Sequence, residues 1–229
     1  MTDKKEEQAA NTPASPIDQY WGLKLETVKA NLEANNFSVF IADKAADAKT
    51  IAMEKILPGL GISSVSWGGS VSFVETGLYH TLRENEDIEV MDTYNKKLSF
   101  EEMMALRRRS LTADLFITGT NAITEAGQLV NLDMIGNRVA AMIWGPKHVL
   151  VIAGRNKICN GLEDAMIRVK DYAAPVNTMR LNKKTPCRKT GVCHDCSSPE
   201  RICNYWTITE KSFEKHRIKV ILVNEDLGF

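Results

Sequence analysis

The chain has 229 residues, enough for one large domain or a domain with a small appendage. Hydrophobic residues make up 44% and charged residues 25%, and 29 basic side chains balance 29 acidic ones. Zero net charge gives no electrostatic case for nucleic acid or for an anionic membrane surface, and no apolar stretch approaches the roughly 18 residues that span a bilayer.

Residues 1–15 are polar and read as a disordered tail. They contain no apolar run of the kind a secretory signal needs, so the expected location is cytoplasmic. In that compartment the five cysteines are expected to be reduced, metal-bound or catalytic rather than paired as disulfides. Residues 16–229 read as a single domain carrying a cysteine-rich loop at 185–204. Ser15-Pro16 predicts a helix start, with serine as cap and proline at the first helical position. Ile17, Trp21, Leu25, Val28 and Leu32 then repeat at helical spacing. Phe37–Ala42 reads as a buried strand and Asp43–Leu57 as a helix closed by Pro58-Gly59. Ser63–Trp67 is a short strand ending in a glycine turn. Ile88–Asp92 is a strand, Phe100–Leu111 a helix and Ala113–Gly119 a strand. Asn121–Asp133 predicts a hairpin, His148–Gly154 a strand, Leu162–Ala173 a helix and Lys219–Asn224 a last strand. This alternation predicts an α/β fold, a mostly parallel sheet covered by helices on both faces. Trp67 and Trp144 are expected in the core.

Three segments could carry chemistry. Gly68, Gly69 and Ser70 follow a strand and precede a helix, where backbone amides can approach an anion. A tight βα turn explains the same residues. Thr118, Gly119, Thr120, Asn121 and Gly127 lie in a small, polar stretch after another strand, and open α/β sheets collect ligands at the carboxyl ends of their strands. Glu125 in that stretch could serve as base or nucleophile, or could be an exposed turn carboxylate. The third segment is Cys187-x5-Cys193-x2-Cys196-x6-Cys203, whose four thiols suit a tetrahedral metal site. An iron–sulfur cluster is the expected occupant, with zinc as the alternative, and His194 could replace one thiol. Reduced structural thiols, or one redox disulfide between Cys193 and Cys196, are the plain alternatives. Asn137-Arg138, Gly145-Pro146-Lys147-His148 and Gly154-Arg155-Asn156-Lys157 put cations at strand ends, where they suit a carboxylate or phosphate, although each alone is more often a surface charge. Arg107, Arg108 and Arg109 read as a solvated helix face.

Two stretches carry a family resemblance. Ala113–Ile158, with its Thr/Gly-rich turn, Glu-x-Gly and GPKHVLVIAG strand, resembles the central block of the LUD (lactate-utilisation) domain family. Ser66–Leu78 is similar to that family's earlier Gly-Gly-Ser turn, and Thr185–Asn204 to a cysteine-bearing tail found in some members. The resemblance implies a fold like that of CoA transferases and ribose-phosphate isomerases, and an association with lactate oxidation by iron–sulfur systems. It matches Glu125 loosely to the glutamate those enzymes use. Two functions follow as expectations. One is an accessory or ligand-binding component of lactate or organic-acid redox metabolism, binding a small anionic ligand and working with other redox subunits. The other is an enzyme that uses Glu125 on a CoA ester, sugar phosphate or small carboxylate.

Overall fold

A computed structural model describes residues 15–229, so the reading of residues 1–15 as a tail falls almost wholly outside the described residues. The first helix, α1 (Pro16–Ala34), starts where the sequence places it. The Ser15 side chain accepts from the Asp18 N–H at 3.2 Å and Pro16 follows the cap. Of the predicted apolar stripe, Leu25, Val28 and Leu32 are buried, while Ile17 lies outward at the helix start.

Six strands form one parallel sheet: β1 (Ser38–Ala42), β2 (Ser64–Trp67), β3 (Glu89–Met91), β4 (Leu115–Thr118), β7 (His148–Gly154) and β10 (Ile218–Val223). Their order is β1-β10-β7-β4-β2-β3, and every neighbouring pair is parallel. The α/β expectation is borne out. The central strands β7, β4 and β10 are apolar at nearly every position because both of their faces are covered. One face packs Val65, Trp67, Leu115, Ile117, Leu150, Ile152 and Ile221 against Ala48, Ala52 and Ile56, and against Phe73, Leu78 and Leu82. The first three belong to α2 (Ala45–Thr50) and the π-helical turn that continues it, Ile51–Ile56. The others come from α3 (Val71–Glu75) and α4 (Leu78–Arg83). The opposite face packs Val149, Val151, Val220 and Leu222 against α1 and against Ile123 and Leu129.

Those last two residues belong to a second sheet. β5 (Ala122–Thr124) and β6 (Leu129–Asp133) pair antiparallel, as the predicted hairpin requires. β8 (Ile158–Cys159) and β9 (Tyr205–Thr209) flank them in the order β8-β5-β6-β9. Neither flanking strand was legible, since β8 has two residues and β9 lies beyond the cysteine segment. The remaining helices are α5 (Phe100–Arg109), α6 (Asn137–Ile143), α7 (Leu162–Arg168), α8 (Ala174–Arg180) and α9 (Pro186–Thr190). A π-helical turn over Val169–Ala173 joins α7 to α8, so this helical stretch runs seven residues past its predicted end. The cysteine segment contains the short helix α9 and is not wholly loop.

Trp144 corrects the core expectation: it is 83% exposed, whereas Trp67 is fully buried. The chain leaves α6 in an extended conformation at Trp144 and turns at Gly145 (φ +107°). A Cβ at Gly145 would stand 2.3 Å from the Leu111 carbonyl oxygen, so the backbone occupies the space and the preceding side chain faces outward.

Asp114 ties the amino ends of β2 and β4 together. Its carboxylate pairs with Lys147 at 2.7 Å and accepts from the Ser63 and Ser64 N–H groups at 2.8 and 3.1 Å. Lys147, and then Ser63, hold this carboxyl well below the usual carboxylate range. The clamp fixes the register Ser66 to Phe116 and Trp67 to Ile117, so the carboxyl ends of both strands finish side by side.

Candidate functional site

β2 and β4 are neighbours whose connections leave in opposite directions. From β2 the chain runs outward to β3 at the sheet edge, and from β4 it runs inward to β7. Such a switch point leaves a crevice beyond the carboxyl ends of the two strands. The Gly68–Ser70 turn and the Gly119–Asn121 turn meet there. A Cβ at Gly119 would lie 2.7 Å from Ser70 Oγ, and one at Gly68 would lie 3.0 Å from Arg138 Cγ and 3.1 Å from Thr118 Oγ1. Both glycines are therefore needed for close approach of the turns.

A cavity of about 410 Å³ occupies this crevice. Of the turn residues named from sequence, Gly69, Ser70, Gly119, Thr120 and Asn121 line it. Gly68 and Thr118 do not line it. Two of the turn's amides are already engaged within the protein. The Gly68 N–H donates to Ile117 O at 3.0 Å, and the Ser70 N–H donates to the Tyr94 hydroxyl oxygen at 2.8 Å. Tyr94 in turn donates to Gly68 O at 2.6 Å, and burial pushes its pKa up to about 12, so it stays protonated and holds the turn shut.

Positive charge in the cavity comes instead from side chains. Arg107, Arg138, Lys157, Arg180 and Lys183 line it, against a single acidic lining residue among the described residues, Asp133. Asp133 is already paired: Arg138 Nε donates to its carboxylate at 3.3 Å. Arg138 Nη2 also donates to Asn121 Oδ1 at 3.0 Å and to Leu132 O at 3.2 Å. Arg180 bonds Asn177 Oδ1 and lies over the Phe229 ring, 5.8 Å from its centroid. Lys157 is only 4% exposed. Its Nζ donates to Ser72 Oγ at 2.7 Å. Burial, followed by the charges of Arg168 and Arg138, pulls its pKa down to about 7.

Arg138 and Lys157 were legible as cations at strand ends, yet neither is a surface charge, and Arg107 does not share the fully solvated face assigned to it. Tyr94, Asn177, Arg180 and Lys183 escaped the sequence reading. The last three belong to or follow α8, whose existence depends on the π-turn continuing α7. Tyr94 sits in an irregular segment after β3 with no motif to mark it.

Glu125 and Gly127 are not brought to the cavity. They occupy the closed end of the β5–β6 hairpin, while its open end, Asn121 and Leu132–Asp133, lines the cavity. Four residues of extended chain separate Asn121 from Glu125, roughly 13 Å. The Glu125 carboxylate pairs with Lys24 of α1, and its carbonyl accepts from Asn31 Nδ2 at 2.7 Å. Gly127 (φ +81°) would place a Cβ 2.8 Å from the α1 backbone, so it is a docking glycine for that helix. Glu125→Gln is accordingly expected to change stability by less than about 1 kcal/mol and to leave anion affinity unchanged. Thermal unfolding and calorimetric titration check both; a large affinity loss would return Glu125 to the site.

The four cysteines gather elsewhere. Cys187, Cys193, Cys196 and Cys203 all line one small cavity, together with Thr178, His194, Lys170, Asp195 and Arg201. All four are half-buried and unpaired. Arg201 donates to Cys196 O at 2.6 Å and Cys203 O at 2.9 Å, drawing the ends of the segment together. The Asp195 N–H donates to Cys193 Sγ at 3.5 Å. Burial raises the Cys203 thiol pKa, with Arg201 and Lys170 opposing that rise. Among the described residues no three ligating side chains stand at metal-binding distance. The four thiols on one small cavity, with an amide donor and two cations beside them, have the donor chemistry of a thiolate-bound centre, while their spacing here is wider than metal bonding requires. His194 Nε2 lies 2.9 Å from Thr190 Oγ1, a hydroxyl partner for its ring. Cys159 stands apart, packed beside Leu162 and Met166.

No helix of the described residues is long and apolar enough to cross a membrane. No curated protein matches the chain. Among solved structures, a DUF162 family protein from Deinococcus radiodurans is similar over 92% of this chain and 99% of its own, with 14% identity and a TM-score of 0.47. Ribose 5-phosphate isomerases from Plasmodium falciparum and Methanocaldococcus jannaschii, each 16% identical, give TM-scores of 0.30. The first covers 50% of this chain and 54% of its own. The second covers 58% and 56%. A family model for the LUD domain matches residues 25–223.

Proposed function

The chain belongs to the LUD domain family, and we propose that it binds a small organic anion as a component of lactate or organic-acid redox metabolism. The observation that carries the reading is the cavity at the β2–β4 switch point, lined by five basic side chains against one acidic residue that is already paired. Its volume of about 410 Å³ suits a small carboxylate or phosphate ester. Family membership supports the organic-acid class. Cys187, Cys193, Cys196 and Cys203 would hold an iron–sulfur cluster, with zinc as the alternative occupant. Such a cluster supplies one-electron transfer, and exchange with other redox subunits is the partnership it implies. The chain's own residues bind and orient. Tyr94 keeps the Gly68–Ser70 turn closed, Arg138 holds Asp133 and Asn121 in the wall, and Arg107, Arg180 and Lys183 supply charge to the ligand.

Isothermal titration of the full chain with lactate, pyruvate and inorganic phosphate, at low and high salt, tests the reading. Saturable binding of a carboxylate, weakened by salt, is expected. Absence of saturable binding by any of the three anions would overturn it. Binding of phosphate alone would replace the organic-acid class with a phosphorylated one.

A further inference from the structure

We propose that Lys157 is a nucleophile whose amine condenses with the carbonyl carbon of a small 2-oxo carboxylate held in the cavity. The inference rests on the anion-binding reading above and narrows its ligand to a class.

Lys157 closes the short 3-10 turn Arg155–Lys157 that follows β7, and its side chain lines the cavity while remaining 4% exposed. No ion pair of Lys157 occurs among the described residues. Its hydrogen bond to Ser72 is of one polarity. The Ser72 hydroxyl donates to Leu227 O at 3.2 Å, so its oxygen can only accept from Nζ at 2.7 Å. The unprotonated amine therefore keeps its lone pair free of Ser72, while the bond fixes where Nζ stands. The charges facing it are Arg168 and Arg138, which disfavour protonation, and Glu75, which opposes them more weakly. With burial these leave a substantial unprotonated fraction near neutral pH, unlike an ordinary lysine. Arg107, Arg180 and Lys183 on the same cavity offer positive charge to the ligand's carboxylate.

The step balances without a co-reactant. The Nζ lone pair attacks the C2 carbonyl carbon and the carbonyl π pair moves onto its oxygen. An amine proton transfers to that oxygen, and the carbinolamine loses water as the C=N bond forms. One water leaves, and nothing is oxidised or reduced.

The test is to treat the full chain with pyruvate and sodium cyanoborohydride, then map adducts by peptide mass spectrometry. The expected result is an adduct concentrated at Lys157 over exposed lysines such as Lys147, with labelling that climbs as pH rises through about 7. Lys157→Arg keeps the cation and should lose that adduct. If this variant fails to fold, the wild-type map decides alone. Wild-type protein with no adduct at Lys157, or with labelling spread evenly over exposed lysines, overturns the proposal. Titration with pyruvate in the absence of reductant separates the two readings. Binding without an adduct removes only the nucleophile, whereas no binding of any tested anion removes the anion-binding reading as well.

Discussion

Replacing Arg138 with alanine is expected to lower anion affinity by about 100-fold and to destabilise the fold by about 3 kcal/mol. Both effects have one origin. The Arg138 and Asp133 side chains are 11% and 12% exposed, and the guanidinium also holds Asn121 Oδ1 and Leu132 O. Truncation leaves the Asp133 carboxylate in the cavity wall without its partner, strips a donor from the hairpin's open end and removes a positive charge from the ligand's surroundings. The cavity then presents an uncompensated negative charge to an incoming anion. At an effective dielectric of about 20, a unit charge about 6 Å away is worth roughly 3 kcal/mol, or about a hundredfold in affinity. The pair of variants Arg138→Ala and Arg138→Ala/Asp133→Asn separates the causes. The double variant should regain part of both losses, because the carboxylate is gone. Calorimetric titration and chemical denaturation measure them. An Arg138→Ala variant with wild-type affinity would mean the anion binds elsewhere.

Replacing Cys193 and Cys203 together by serine is expected to abolish metal binding by the cysteine segment. Anaerobically purified wild-type protein should carry iron with acid-labile sulfide, and the double variant neither. Both thiols line the same small cavity, beside Lys170. Two serines leave at most two thiolates for a centre that needs four ligands. The segment is pinned by its own contacts, namely Arg201 to the carbonyls of Cys196 and Cys203 and Lys170 to Asp195 at 2.7 Å, so circular dichroism should show the body of the fold intact. Zinc without sulfide in the wild type would select the alternative occupant. Full metal content in the double variant would remove the site.

The parallel sheet was legible because its strands are short apolar runs bounded by turn residues, and their alternation with helical patterns leaves few other architectures. Both loops of the cavity were legible for a related reason. Gly68–Ser70 and Gly119–Asn121 each follow a buried strand, and ligands gather at strand carboxyl ends. Strand order was not legible, and order is what makes β2 and β4 neighbours. Glu125 shows the limit of local reasoning. It lies four residues from Asn121 in sequence, but a hairpin's two ends point apart, and α1 claims its closed end through Lys24 and Asn31. Lys157 shows the converse. Its neighbours Arg155 and Asn156 look like a polar surface turn, and only its burial and its bond to Ser72, itself tied to the Leu227 carbonyl, reveal a buried amine. Trp144 failed because large aromatic side chains are usually buried, while here the backbone at Gly145 fills the space beneath.

The most direct measurement is a crystal structure of the chain grown with pyruvate. Ligand density is expected beyond the carboxyl ends of β2 and β4, beside Lys157 and between the Ser70 and Thr120 turns, with the ligand's carboxylate facing Arg107, Arg180 or Lys183. Density at the closed end of the hairpin near Glu125, or an empty cavity at a pyruvate concentration that saturates the calorimetric signal, would contradict it.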